Sequence, residues 1–292
     1  MHYIVIAPLL TAPPINQLLA TGGVLALLAL GLNLIFGVID VTWICYAELV
    51  MIGMYGMYYL VQVYGVPYWA AAPLAILLVA ALGAALHAIV IAPLLTAPPI
   101  NQLLATGGVL FILQSFATVA FGIDFRNLGI RLPVLVFGEM HFSYARLLSF
   151  AAALIGMVTV YLFMTRTFTG TAIRAIAQDR QIMSLMGVDT RRIYLVTSAL
   201  GGALAGLAAC LLVLQYDVHP FVGLSFGPIT FLICVLGGLG NFVGGFIAAF
   251  VFAEIISLGG LFSDLEWGYV LAFAFFIVMM FIRPAGLLAR RS

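Results

Sequence analysis

The chain contains no lysine, because all 11 of its cationic residues are arginines. In the glycine-rich phosphate loop of ATPases, a lysine reaches the β- and γ-phosphates of the nucleotide. A chain without lysine therefore cannot bind and hydrolyse ATP in that manner by itself.

Charge of either sign is scarce. Charged residues make up 7% of the 292 residues, whereas soluble domains carry roughly 25%. Hydrophobic residues make up 65%, and the mean hydropathy is +1.24. A water-soluble core of this size cannot use so much apolar surface, so the composition indicates a polytopic membrane protein.

Cysteine is rare as well. Cys45, Cys210 and Cys234 are scattered through apolar stretches, and an odd number without a CxxC spacing argues against disulfide bonds and zinc. We expect buried thiols and no metal site, because the histidines also lack metal-ligand spacing. The sequence has no paired carboxylates or nucleophile and base that suggest hydrolysis, which disfavours a membrane-embedded enzyme.

Apolar runs of about 20 residues, the length that crosses roughly 30 Å of hydrocarbon, recur along the chain. They cover about 17–37, 43–62, 67–91, 102–121, 147–165, 193–215 and 267–282. A further run, 226–259, is too long for one helix and contains GGLGN at Gly237–Asn241. Backbone groups in lipid must be paired within their segment. We therefore expect an all-α bundle of about eight transmembrane helices, with a broken or re-entrant pair near 226–259.

The arginines predict the direction of these helices. Segment 166–192 holds five arginines and the tail 283–291 holds three, so both are expected on the cytoplasmic side. Loop 122–146 also has arginines, but acidic residues accompany them, and a single span separates it from segment 166–192. We place this loop and the N-terminus outside. The run 226–259 must then cross an even number of times or dip back on itself.

Two interpretations of the glycines in that run stay open. Broken helices in membranes are tolerated where they face protein or water, and transporters place their pathways there. The pathway candidates on this interpretation are Gly237, Gly238, Gly240 and Asn241. The alternative is a close-packed helix seam, since small residues are typical of such seams. For the glycines of Gly201–Gly206 we favour packing.

The arginine-rich cytoplasmic segment has the pattern of a capped helix. Thr169 or Thr171 can cap its start, Ala172–Met186 are good helix formers, and Gly187 stands where a glycine ends a helix. Asp189 then caps the next helix, which enters the membrane. Because one face of the first helix is apolar, that helix either rests on lipid headgroups or docks into a groove of a soluble partner.

Several blocks of the sequence resemble permease subunits of branched-chain amino acid ABC transporters of the high-affinity, binding-protein-dependent type. The resemblance covers most of the chain from about residue 26 onward, in the order and spacing of that family. The blocks are LGLNLIFGV at Leu30–Val38, GTAIRAIAQDRQIMSLMGVDTRRI at Gly170–Ile193, SALGGALAGLAACLL at Ser198–Leu212, VLGGLGNFVGGFIAAFVFAEI at Val235–Ile255 and RPAGLL at Arg283–Leu288.

The resemblance implies a single permease domain in the inner membrane that pairs with a second homologous permease subunit. Two cytoplasmic ATPase subunits would bind the ATP that this chain cannot, and a soluble binding protein would deliver the substrate from outside. Branched-chain amino acids or related small solutes are the implied substrates. Membrane lipid is a further partner, and nucleic acid is not. An ATP-independent secondary transporter or channel is the alternative.

The resemblance also favours docking for the cytoplasmic helix. It implies that residues 170–187 form a coupling helix, which sits in a cleft of an ATPase subunit and moves when ATP closes the two ATPases. A rigid helix joined to a bundle with two arrangements suits that task. The residues expected to carry the coupling are Arg174, Ala175, Ala177, Asp179, Met183 and Gly187.

One stretch of 22 residues, Ile4–Leu25, recurs without a difference as Ile89–Leu110. An old duplication would have drifted, because no packing requirement fixes every side chain. In the family the pattern P…NQLLATIG…LQ belongs between the third and fourth spans, and in this chain APPINQLLATGGVLFILQ at Ala97–Gln114 stands there. The second copy is therefore the one in place, and we hypothesise that residues 1–25 are a copy of 86–110.

The stretch WICYAE at Trp43–Glu48 departs from the family, which usually reads NFAHGE there, and retains only the acid. A carboxylate within a span costs roughly 2.5–3.5 kcal/mol on insertion scales, so it is seldom idle. Glu48 is the best single candidate for lining the pathway, and a structural hydrogen bond between helices is the alternative. Tyr46, also a pathway candidate, replaces the family's histidine, so a titratable partner for Glu48 is missing.

Overall fold

The computed structural model describes residues 12–130, 134–137, 140–262, 265–283 and 286–287. Residues 1–11, which open the first copy of the repeat, lie outside this part of the chain. So do Arg131, Glu139, Arg290 and Arg291, which contributed to the expected direction of the helices.

Within these residues the chain is almost entirely helical, which confirms the predicted all-α class. The helices are α1 (Ala12–Ile39), α2 (Tyr46–Tyr58), α3 (Tyr68–Leu86), α4 (Pro99–Phe121), α5 (Tyr144–Arg166), α6 (Phe168–Gln178), α7 (Arg180–Leu185), α8 (Thr190–Leu212), α9 (Val222–Gly237), α10 (Phe242–Phe262) and α11 (Leu265–Ile282). Wider π-helical turns, Tyr59–Val63 and His87–Ile91, extend α2 and α3, and Ala92–Leu94 continue α3. A two-stranded antiparallel hairpin of β1 (Val134–Phe137) and β2 (Met140–Ser143) precedes α5.

The described residues agree with a bundle of several membrane helices, but α2, which falls in the predicted span 43–62, is not among those long and apolar enough to cross. Helices α1, α3, α4, α5, α8 and α10 contain 6 spans that are long and apolar enough to cross a membrane. Shorter apolar helices are Val222–Gly237, which is α9, and Trp267–Ile282 within α11. The chain is thus a multi-pass helical membrane protein.

Helix α1 is the centre of the bundle. Its apolar span Thr21–Ile39 is 89% buried, whereas the span of α5 is 22% buried. Helices α10, α8 and α5 pack around α1. The outer helices leave apolar side chains exposed, which suits a solvent of lipid tails.

Glycines allow α8 to pack closely on α3. A Cβ added at Gly202 would lie 2.7 Å from the Val79 carbonyl oxygen, and one at Gly206 would lie 2.9 Å from the Cα of Ile76. Larger residues would push the two helices apart. The predicted packing role of the glycines in Gly201–Gly206 is therefore confirmed.

The run 226–259 is broken, as predicted, into α9 and α10. Leu239, in the turn between them, lines a largely polar cavity of about 740 Å³ together with Asp40, Ala97 and Arg180. The ends of α1 and α3, the start of α7 and this turn therefore lie at one end of the bundle. Because segment 166–192 is there, we call it the arginine-rich end.

The opposite end is tied together by residues 122–130. The backbones of Arg126 and Val218 exchange hydrogen bonds of 3.0 and 2.7 Å, and Asn127 Nδ2 donates to Asp217 at 2.7 Å. Arg126 Nη1 also donates to the Tyr59 hydroxyl at 2.7 Å, which raises the pKa of Arg126 above its ordinary value. The loop after α4 is thus fixed both to α2 and to the loop after α8.

Candidate functional site

Helix α2 begins inside the bundle rather than at its surface. Asp40, with a φ of +57°, ends α1 at the arginine-rich end, and residues 40–45 are not helical. Thr106 on α4 donates a hydrogen bond to the Thr42 carbonyl at 2.9 Å, which holds this segment along α4. The structure corrects the start of the predicted span 43–62, because the chain runs back into the bundle as a coil before α2 forms.

The N-terminus of α2 has no side-chain cap. Cys45, in the N-cap position, makes no side-chain hydrogen bond to the first turn. The amides of Tyr46 and Glu48 reach the carbonyls of Trp43 and Cys45 at 3.2 and 3.1 Å. The positive end of this helix therefore lies in the interior, an arrangement that transporters use to hold anionic groups.

A cleft of about 280 Å³ lies against this helix end. Its walls are residues 42–44 and 46–48, Leu32 of α1, Leu103 and Leu110 of α4, and residues of α9 between Gly223 and Phe231. Leu224 and Phe231 of α9 are 48% and 37% exposed, so the cleft opens to the side of the bundle between α4 and α9. Among the described residues that line it, Glu48 alone carries a charge.

Glu48 is fully buried at the inner wall of this cleft. Its Oε1 accepts a hydrogen bond of 3.0 Å from Gln114 Nε2 on α4, whereas its Oε2 has no hydrogen-bond partner among the described residues. Gly223, in the first turn of α9, makes room for the carboxylate, because a Cβ there would lie 2.5 Å from Oε1. Glu48 thus joins α2, α4 and α9 and keeps one oxygen free for another group.

Tyr46 lines the same cleft, but its hydroxyl is directed elsewhere. It donates a hydrogen bond of 3.1 Å to the Gly201 carbonyl on α8. Gly31 on α1 leaves the space that this hydroxyl occupies. Tyr46 therefore fixes the start of α2 to α1 and α8, while its ring forms part of the cleft wall.

The glycine turn between α9 and α10 lies at a close contact of backbones. Gly238 and Gly240 have φ angles of +93° and +78°, which favour glycine. A Cβ added at Gly240 would lie 2.9 Å from the Cα of Gly37, and the Gly240 amide donates to Asn33 Oδ1 at 3.2 Å. Asn241 Oδ1 accepts from the Gly244 amide at 3.0 Å and so caps α10.

None of Gly237, Gly238, Gly240 and Asn241 lines the cleft at Glu48. The contacts of this turn match the packing interpretation, because they fix the α9–α10 hairpin to α1. The turn also meets the C-terminal segment, where the Leu287 amide donates to the Leu236 carbonyl at 2.7 Å.

The predicted cytoplasmic helix is two helices, which corrects the single helix expected over 172–186. Thr167, rather than Thr169 or Thr171, caps α6, since its Oγ1 accepts from the Gly170 amide at 3.0 Å. Asp179 is extended, with φ −154° and ψ 104°, and its carboxylate accepts from the Ile182 amide at 3.0 Å. An aspartate is more favourable as a helix cap than within a helix, so the chain breaks there.

The two helices differ in their support. In α6, Ile173 and Ile176 are buried against the bundle, while Arg174 and Ala177 are exposed. In α7, Ile182 and Leu185 are 57% and 87% exposed, whereas Met183 is half-buried.

The end of this segment follows the prediction. Gly187 has a φ of +83°, as expected of a glycine that ends a helix. Asp189 caps α8 by accepting from the Arg192 amide at 3.2 Å. Of the six predicted coupling residues, Arg174, Ala177, Asp179 and Gly187 are exposed, whereas Ala175 and Met183 are half-buried.

The sequence analysis did not single out Gln114 or Gly223, which contact the Glu48 carboxylate. Gln114 closes the block Ala97–Gln114 that resembles the family, so a signal for it was present. Gly223 had no such signal, because its role depends on how closely α9 approaches Glu48.

Comparison with known proteins settles the family. The model of the family described as "Branched-chain amino acid transport system / permease component" matches residues 15–280. The chain belongs to this family. Its matched region includes the cleft, α6, α7 and the glycine turn, so these features belong to the permease domain.

Similar proteins match this permease over nearly its whole length. The high-affinity branched-chain amino acid transport system permease protein BraD of Pseudomonas aeruginosa is 28% identical over 93% of this chain and 94% of its own. The corresponding protein LivH of Escherichia coli K12 is 25% identical over 92% of each chain. LivM of the same organism is 26% identical over 90% of this chain and 67% of its own.

The fold of the permease also has a solved counterpart. The structure "PsaBC from Streptococcus pneumoniae in complex with Fab" covers 98% of this chain and 97% of its own with a TM-score of 0.53. At 14% sequence identity, this likeness concerns the fold alone.

Proposed function

We propose that this permease is the membrane subunit of an ABC importer in the inner membrane, with a pathway for branched-chain amino acids or related small solutes along the cleft at Glu48. Two partner ATPases bind ATP and drive it, and a soluble binding protein delivers the solute. The observation that carries this proposal is family membership over residues 15–280. The exposed helices α6 and α7 at the arginine-rich end support it.

The pathway assignment depends on the interior start of α2. A buried carboxylate with one unpartnered oxygen is costly in lipid, so it indicates a functional role. It lies beside a helix end that has no side-chain cap, and the carboxylate and the helix end both border the cleft. The cleft opens between α4 and α9, so a second permease subunit that covers this opening would complete the walls of the pathway.

The coupling assignment depends on α6 and α7. Helix α6 is fixed to α5 because a Cβ at Gly170 would lie 2.6 Å from the Cα of Met164, so the two helices move as one body. Its exposed face and the exposed apolar residues of α7 offer a surface to a soluble ATPase. An ATPase that pushes on this surface moves the bundle, and ATP itself binds only to the partner.

Replacing Arg174 tests this assignment. The permease is coexpressed with a second permease subunit and the ATPase subunits of its source organism. Copurification is measured, and ATP-dependent uptake of leucine into proteoliposomes is measured with the soluble binding protein supplied. Arg174→Asp places a negative charge on the exposed face of α6, so we expect the ATPase to be lost from the complex and uptake to fall at least tenfold.

Arg146→Asp is the matched control. It makes the same charge change at the start of α5, whereas α6 with Arg174 follows the end of α5. It is expected to keep both the ATPase and uptake. If Arg174→Asp retained both as well, coupling through α6 would be wrong. Uptake by the permease alone, driven by an ion gradient, would instead support a secondary transporter.

A further inference from the structure

We propose that the cleft at Glu48 binds a free α-amino acid as a zwitterion. The N-terminus of α2 receives the α-carboxylate, Glu48 receives the α-ammonium group, and the apolar walls receive the side chain. This inference rests on the proposed function and extends it, because it gives the permease its own recognition of the substrate.

The carboxylate half of the site is the first turn of α2. This helix of 13 residues begins inside the bundle, and no side chain caps it at Cys45. The first amides of a helix lack acceptors within that helix and carry partial positive charge, so they bind carboxylates. The amides of Tyr46 and Glu48 already reach the carbonyls of Trp43 and Cys45, so the amide of Ala47, which lines the cleft, is the one offered to a carboxylate at this positive helix end.

The ammonium half is the free oxygen of Glu48. Gln114 occupies Oε1, which orients the carboxylate, and Oε2 has no partner within the described residues although the side chain is fully buried. A buried carboxylate is unfavourable without a hydrogen-bond donor or a cation. An ammonium group supplies both, and because Glu48 belongs to the same turn as the amides, it lies beside the carboxylate half.

The rest of the cleft selects the side chain by size and polarity. Its volume is about 280 Å³, slightly below the roughly 300–1,000 Å³ typical of pockets for drug-sized ligands. Trp43, Leu110 and Phe231 contribute apolar walls. A small apolar amino acid fits this space, whereas a second charge on the side chain would be buried without a partner.

Trp43 provides a direct measurement. It lines the cleft and is 2% exposed, whereas Trp69 and Trp267 are 71% and 58% exposed. In the full-length permease with Trp69→Phe and Trp267→Phe, purified in detergent without ATPase or binding protein, Trp43 is the only tryptophan. We expect L-leucine to change its fluorescence saturably. We also expect 4-methylpentanoate, which lacks the ammonium group, and 3-methylbutylamine, which lacks the carboxylate, to bind about tenfold more weakly or worse.

Glu48→Gln separates the two halves of the site. We expect it to weaken leucine binding about tenfold or more and not to weaken the binding of 4-methylpentanoate, since that ligand has no ammonium group and its carboxylate is no longer repelled by Glu48. Unchanged leucine affinity in Glu48→Gln, or no saturable leucine signal in the parent, overturns the proposal.

A second pair of variants keeps the test valid if Glu48→Gln does not fold. Leu103→Tyr adds bulk inside the cleft at a 38% exposed position, and Leu104→Tyr adds it at the neighbouring, 67% exposed position outside the cleft. Only Leu103→Tyr is expected to abolish the leucine signal, and equal effects of the two variants overturn the site. If ATP-driven uptake persists while Trp43 detects no leucine, the binding site is wrong and the importer function stands.

Discussion

At the scale of single residues, Glu48 depends on Gln114. The carboxylate is fully buried, and Gln114 gives it a hydrogen bond of 3.0 Å. Gln114→Leu removes that donor and leaves the charge with less compensation, so we expect the permease to lose roughly 1–3 kcal/mol of stability. A lower melting temperature in detergent would measure this loss.

The double variant Glu48→Met with Gln114→Leu is the control for that experiment. It replaces both polar partners by apolar groups of similar shape, which is often nearly neutral for stability. We expect it to melt closer to the parent than Gln114→Leu does. Equal melting of Gln114→Leu and the parent would mean that the hydrogen bond contributes nothing to stability.

The residues of the cleft also show how far sequence reasoning reaches. Glu48 is conspicuous as a lone acid in an apolar run, so it was predicted as a candidate. The structure adds what a lone acid cannot indicate, namely that α9 approaches close enough to require Gly223 and that Tyr46 bonds to α8. Such contacts join residues far apart in the chain, and local patterns carry no information on them.

At the scale of elements, Asp179 separates α6 from α7. Its carboxylate caps α7 through the Ile182 amide, and substituting such a cap by alanine costs typically about 1 kcal/mol. We expect Asp179→Ala to destabilise α7 and speed hydrogen exchange at its amides, because the helix loses its first acceptor. Hydrogen exchange followed by mass spectrometry of peptides over 180–187 would measure it.

Asp179→Asn is the matched control, since asparagine is an equally good cap. In this variant the amides over 180–187 are expected to exchange hydrogen at the same rate as in the parent. If Asp179→Ala also exchanged like the parent, the cap would not support α7, and the break at Asp179 would need another cause.

The repeated segment shows at this scale why an identical sequence does not fix an environment. A Cβ at Gly23, in α1, would lie 2.9 Å from the Phe150 amide of α5, whereas Gly108, its counterpart in α4, has nothing within 4 Å. Residues 12–25 of the first copy and 99–110 of the second are helical, as hydrophobicity predicts. Their neighbours differ because α1 is the centre of the bundle and α4 is peripheral, which depends on the remaining helices. That residues 1–25 are a copy stays a prediction, and sequencing codons 1–30 of the source gene would test it.

At the scale of the whole molecule, the arginines and the helix directions agree with each other. Helices α6 and α7 and the α9–α10 turn meet at one end, while Arg126 and Asp217 lie at the other. The even number of crossings expected for the run 226–259 matches the α9–α10 hairpin. The positive-inside tendency then makes the arginine-rich end cytoplasmic in our proposal.

Cysteine labelling tests that orientation directly. The three native cysteines are buried, as predicted, so they give little background to a membrane-impermeant maleimide. Asp124→Cys and Gln178→Cys introduce thiols at exposed positions of the opposite and the arginine-rich ends. In cells that express the permease without ATPases, we expect Asp124→Cys to react from outside and Gln178→Cys to react only after permeabilisation. The reverse pattern would place α6 and α7 outside, where no nucleotide-driven partner can reach them, and an ATP-driven importer would no longer be possible.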